Sequence, residues 1–136
     1  GDANLYGRTQ KGAEAMNPVI DLTNIIAKLY PDAQVFAYQV PENYQKMNKL
    51  PLIKTEAVSE TNDGYGSDKY RQRRYLVQVM AFLDIKKTEI ESFKDEVDRV
   101  LEANEFYLSY ADEYIDGTYP DVLVLTRQYA ITRRKN

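Results

Sequence analysis

The string Asp63-Gly64-Tyr65-Gly66-Ser67-Asp68 is where the chain concentrates residues able to do chemistry. It fits five of the six positions of Gly-Gly-x-Gly-x-Asp, the opening of calcium-binding nonapeptide repeats, with Asp63 in place of the first glycine. Calcium in such repeats is held between stacked tandem copies. This sequence has a single copy, so a turn between two strands is the better reading. Neither Gly-Lys-Ser/Thr nor a third glycine follows, which removes the phosphate loop and the dinucleotide fingerprint. Ser67 lacks both a G-x-S-x-G frame and a histidine partner. The 136 residues contain no histidine and no cysteine. That excludes histidine-assisted nucleophiles, thiol chemistry, disulfides, and the usual zinc, copper and iron–sulfur sites. Carboxylates remain: Glu102, Glu105, Asp112, Glu113, Asp116 and Asp121 have the right oxygens for a hard divalent cation. They are spread over a helix end, a strand and a turn, and their spacing does not make them converge. The expectation is a protein without catalytic residues, metal or cofactor.

Arg71, Arg73 and Arg74 alternate with Tyr70 and Tyr75 in a pattern suited to nucleic acid. The period of a strand places Arg73 and Arg74 on opposite faces, so a solvated strand opening is expected instead. Arg133-Arg134-Lys135 reads as a solvated terminus. Eighteen Lys+Arg against 21 Asp+Glu give a net charge of -3, without the basic excess of a general nucleic-acid binder. The 12 tyrosines carry more information. Several stand at strand positions between polar neighbours, and tyrosine joins a large contact area to a polar tip, as protein interfaces require. No membrane is expected: the apolar run Val122–Leu125 is far short of the roughly 20 residues of a spanning helix.

These residues must be held by ordinary elements. Residues 1–15 have no apolar period and read as a leader, added in expression or disordered, ahead of a single domain over 16–136. Asn17-Pro18 reads as helix cap and first helical position, opening a helix to Tyr30 with Leu22, Ile25, Ile26 and Leu29 as its stripe. A short strand is expected over 35–40, a connection over 41–50, and a second strand over 52–58. Turn-forming residues fill 59–69. A long strand follows over 70–83, with Tyr75, Val77, Val79, Ala81 and Leu83 on one face and Leu76, Met80 and Phe82 on the other. It reads as central and covered on both sides at one end. A helix over 86–104 carries the stripe Ile90, Phe93, Val97, Val100 and Leu101, with Thr88 and Glu91 as a capping box. Strands over 106–115 and 121–132 close the chain around a Gly117-containing turn, leaving 133–136 as a tail. Short sequential connections favour an α+β domain, a mainly antiparallel sheet of four to five strands with both helices on one face.

Residues 62–83, the Asp-Gly-Tyr-Gly-Ser string leading into Tyr75-Leu76-Val77-Gln78-Val79-Met80-Ala81-Phe82-Leu83, resemble small siphovirus proteins of Lactococcus and Lactobacillus phages and prophages. These are similar to tail terminator, tail completion and head–tail joining proteins. The order of elements beyond, a helix and then a strand pair, resembles them too. The resemblance implies a non-enzymatic virion protein, assembled in the host cytoplasm, forming a ring of six copies that caps the tail tube. Its implied partners are further copies of itself, the major tail tube protein and the head-closure or connector protein. Nucleic acid is met only incidentally, if DNA passes through the ring. The string falls on Asp63, Tyr65, Gly66 and Ser67, and with Tyr70, Arg71 and Arg73 these are the expected partner-facing residues. A head-closure ring and a small nucleic-acid-binding module stand as alternatives.

Overall fold

The computed structural model describes residues 17–63 and 71–135; the expected leader, 1–15, lies outside them. Helix α1 (Pro18–Leu29) starts as its residues dictate: Asn17 Oδ1 accepts from the Val19 N–H at 2.9 Å and the Ile20 N–H at 3.3 Å. Strand β1 (Gln34–Ala37) and a 3-10 turn (Glu42–Tyr44) follow, then β2 (Leu52–Asp63), β3 (Arg71–Asp84), helix α2 (Ile90–Ala103), β4 (Tyr107–Ile115) and β5 (Val122–Lys135). The strands form one sheet in the order β1-β2-β3-β5-β4, with only β1–β2 parallel. Both helices pack on one face, as expected of the α+β arrangement. Among the described residues, no helix is long and apolar enough to cross a membrane.

The core lies between that face and the helices. Val19, Leu22 and Ile26 of α1 and Phe93, Val97 and Leu101 of α2 meet Ile53, Val77, Val79, Ala81, Leu83 and Leu125. Burying each such side chain contributes roughly 1.5–3 kcal/mol, far more than helix propensity. The centre of the α1 stripe is Thr23, which is buried. Its hydroxyl donates to the Val19 carbonyl and also meets the Thr55 hydroxyl, each at 2.6 Å. Charge is buried too. Asp98 on α2 receives Arg127 Nε at 3.0 Å, a second guanidinium nitrogen, and the Tyr129 hydroxyl at 2.6 Å, fastening α2 to β5. Burial first, then the bond to Asp98, pushes the Tyr129 phenol well above its ordinary value.

Among the described residues, no α-helix covers the other face. At one end, residues 38–51 fold over it: the Tyr44 ring lies 4.9 Å from that of Phe36, Val40 and Met47 border a cavity with Leu52 and Phe82, and Leu52 is buried. Covering at both sides of one end is therefore observed. Across the middle of this outer face, Gln128 Nε2 donates to Gln78 Oε1 (2.9 Å), and Gln78 Nε2 to Glu56 Oε2 (2.8 Å).

Four expectations are corrected. Residues 59–63 are strand, not turn, because Ser59–Asp63 pair with Leu76–Gln72 and backbone pairing outweighs the polar composition. Residues 133–135 are not a tail: they pair with Arg73–Arg71 as the end of β5. Strand β1 stops at Ala37, where Tyr38 (φ 70°) turns the chain aside. Helix α2 begins at Ile90 with Glu89 as a cap that makes no side-chain bond, so the Thr88–Glu91 capping box does not form.

Candidate interaction surface

Tyr65, Gly66, Ser67 and Tyr70 lie outside the described residues. Asp63 ends β2 opposite Gln72, and Arg71 opens β3 opposite Lys135. Arg73 stands between Asn62 and Arg133 in the register; its Nη1 is 3.3 Å from Glu60 Oε2. Three of the seven expected partner-facing residues thus share one end of the sheet.

That end is an arm. Strand β4 stops opposite Ala130 and β1 stops opposite Thr55, while β2, β3 and β5 run on past both. The β3–β5 register brings together two arginine groups separated by some sixty residues in the chain, Arg71, Arg73 and Arg74 with Arg133, Arg134 and Lys135. Arg73 and Arg133 share the helix face, where Arg133 Nη2 meets Asp21 at 2.6 Å. Arg74 stands on the outer face beside Thr61. The strand period separates Arg73 from Arg74, as expected, but each gains basic neighbours from β5 that adjacency in sequence cannot reveal.

The larger surface is β4. All nine of its residues are exposed, among them Tyr107, Leu108, Tyr110, Tyr114 and Ile115, each 45–52% accessible. Among the described residues it is the last strand of the sheet and has no partner on its outer edge, a feature natural proteins usually shorten, bulge or charge to prevent association. Tyrosine enrichment was the legible signal; locating it on an edge needs the strand order. Residues 105–121 hold five carboxylates and no cation.

These carboxylates have local duties. Asp116 Oδ2 accepts from the Thr118 and Tyr119 N–H groups at 2.9 Å, Glu113 meets Lys94 Nζ at 2.5 Å, and Asp121 lies 3.5 Å from Lys86. The bond to Glu113, followed by that to Glu91, raises the Lys94 pKa. Among the described residues, no group of three or more Asp or Glu side chains is placed to hold a metal ion.

A cavity of about 390 Å³ opens at the opposite side of the sheet, between the start of α1 and the distal half of β2. Pro18, Val19, Ala57, Val58, Tyr75 and Val77 line it, and Tyr38, held by Asn17 Nδ2 at 3.2 Å, closes one side. Its lining is mainly apolar and holds no set of convergent catalytic groups.

No protein-family model matches the chain. No curated protein matches its sequence. Among solved structures, a chain described as belonging to the virion of a native gene transfer agent (GTA) particle is similar at a TM-score of 0.48 and 8% identity. The match spans 96% of this chain and 92% of that one. A likeness that slight carries no weight for function.

Proposed function

We propose that this chain is a non-enzymatic subunit of a phage-like virion, acting as a tail terminator whose ring caps the tail tube and joins it to the head connector. The observation that carries the reading is β4, a nine-residue edge strand with five large apolar side chains in water. A monomer gains nothing from such an edge, whereas a subunit buries it. The resemblance of residues 62–83 to siphovirus tail-completion proteins supplies the kind of assembly. Asp63, Tyr65, Gly66, Ser67, Tyr70, Arg71 and Arg73 are the proposed contact with the tube or connector; of these, Asp63, Arg71 and Arg73 share the arm. A head-closure ring has the same needs and is the second reading.

Particles made without the protein test this. The expected outcome is tails of irregular length that fail to join heads, seen by electron microscopy. Tails of normal length attached to heads would refute the terminator role. Unjoined tails of normal length would favour head closure. The arm's arginines favour one further reading, contact with nucleic acid. That reading predicts DNA affinity falling about 10³-fold or more between 50 and 200 mM salt.

A further inference from the structure

The sheet has a second free edge. Strand β1 pairs with β2 only over Leu52–Thr55. Among the described residues no strand pairs with that side of residues 56–63, and residues 57–62 are exposed. This eight-residue edge lies on the opposite side of the sheet from the nine-residue β4. We infer that the two edges are mates: β4 of one copy pairs antiparallel with residues 56–63 of the next, so that the sheet continues from subunit to subunit. The inference rests on the ring reading above and names its contact.

Direction and faces agree with this pairing. Strands β2 and β5 run one way and β3 and β4 the other, so neighbours related by rotation about an axis along the strands present β4 antiparallel to β2. The helix faces then lie on the same side throughout. On that side Leu108 and Ile115 project from β4, and the apolar cavity beside Ala57 and Val58 opens next to the other edge. Pairing β4 with another β4 would close a dimer and leave the edge of residues 56–63 without a partner strand among the described residues. Such a heterologous contact closes into a ring or runs on as a filament, as the rotation decides. Across the sheet, β4 is level with residues 51–59 of β2, and β1 already occupies 52–55. The neighbour must therefore sit about four residues along, a stagger of about 13 Å. Closed sheets require such a stagger, with their strands tilted to the axis.

The cysteine-free chain allows a direct test. Thr61 and Tyr110 both project from the outer face. The full chain carrying Thr61→Cys and Tyr110→Cys is oxidised at high concentration. The expected product is a ladder of trimers and larger species, with neither single variant passing the dimer. Adding Val58→Asp, at an exposed position, should remove most of the ladder without moving the melting temperature. Cross-linking of Tyr110→Cys alone into dimers as efficiently as the double variant would show β4–β4 pairing and overturn the inference. A cross-link confined within one chain, or no ladder at all, would also overturn it. Particle morphology without the protein is a separate readout. Defective tails with no ladder leave the virion role standing and remove this contact, and a ladder with normal tails does the reverse.

Discussion

Strands β4 and β5 are neighbours joined by one turn, and both are rich in large apolar side chains, yet they meet opposite fates. On β5, Val124, Leu125 and Tyr129 are sealed from water, with α2 fastened over one face through Asp98. On β4 nothing comparable is covered. The apolar residues of β5 build the fold. Those of β4 stay in water in the single chain.

The comparison is sharpest where the β5 side is broken. Phe93 is nearly buried and its ring stacks on Tyr30 at 4.9 Å. Phe93→Ala should cost about 3–5 kcal/mol in denaturant unfolding, and a loss below about 1 kcal/mol would show that the α2 stripe is not core. Asp98→Ala leaves Arg127, which is only 7% exposed, without its carboxylate. A cost of about 3 kcal/mol is expected, most of it the uncompensated buried charge. Tyr129→Phe removes one bond to Asp98 and should cost about 1 kcal/mol near neutral pH.

Tyr129 also carries a pH signature. The folded state holds the phenol proton above its ordinary value, while the unfolded chain releases it near pH 10. The stabilisation is complete below about pH 10 and is lost as the pH rises toward the folded value. Alkaline melts should be less steep in pH for Tyr129→Phe than for the parent. Equal slopes would show that this phenol does not couple to folding. The smallest effect belongs to β4: Tyr110→Ser or Tyr114→Ser should change subunit stability by about 0.5 kcal/mol or less. A loss comparable to Phe93→Ala would mean β4 belongs to the core and end the contrast.

Most of the fold was legible because it follows periodicity. The α2 stripe and the alternation of Tyr75 to Leu83 each specify a buried face, and Asn17-Pro18 marks a helix start by its own hydrogen bonds. Misreadings occurred where pairing outweighs composition. Ser59–Asp63 look like a turn, and Arg133–Lys135 like a tail, until the register of β3 gives their backbones partners. The candidate surface was half legible. Arginine and tyrosine enrichment could be read, but which strand lies at an edge, and which arginines meet across β3 and β5, are long-range facts. Thr23 was hidden for a related reason, since its buried hydroxyl needs Thr55, 32 residues away.

The Glu56–Gln78–Gln128 line on the outer face bears on how three long strands find their alignment. Side chains alternate with a period of two, so a slip of one residue drives the whole apolar set into water and is rejected at once. A slip of two keeps every side chain on its proper face, and hydrophobic pattern alone cannot detect it. It would, however, carry Gln78 past both Glu56 and Gln128 and break the amide–carboxylate relay at each end. The relay thus serves as a vernier, marking one of several hydrophobically equivalent alignments. That matters most for β3 and β5, whose partners lie 38 to 64 residues apart and must find each other across an intervening helix and strand.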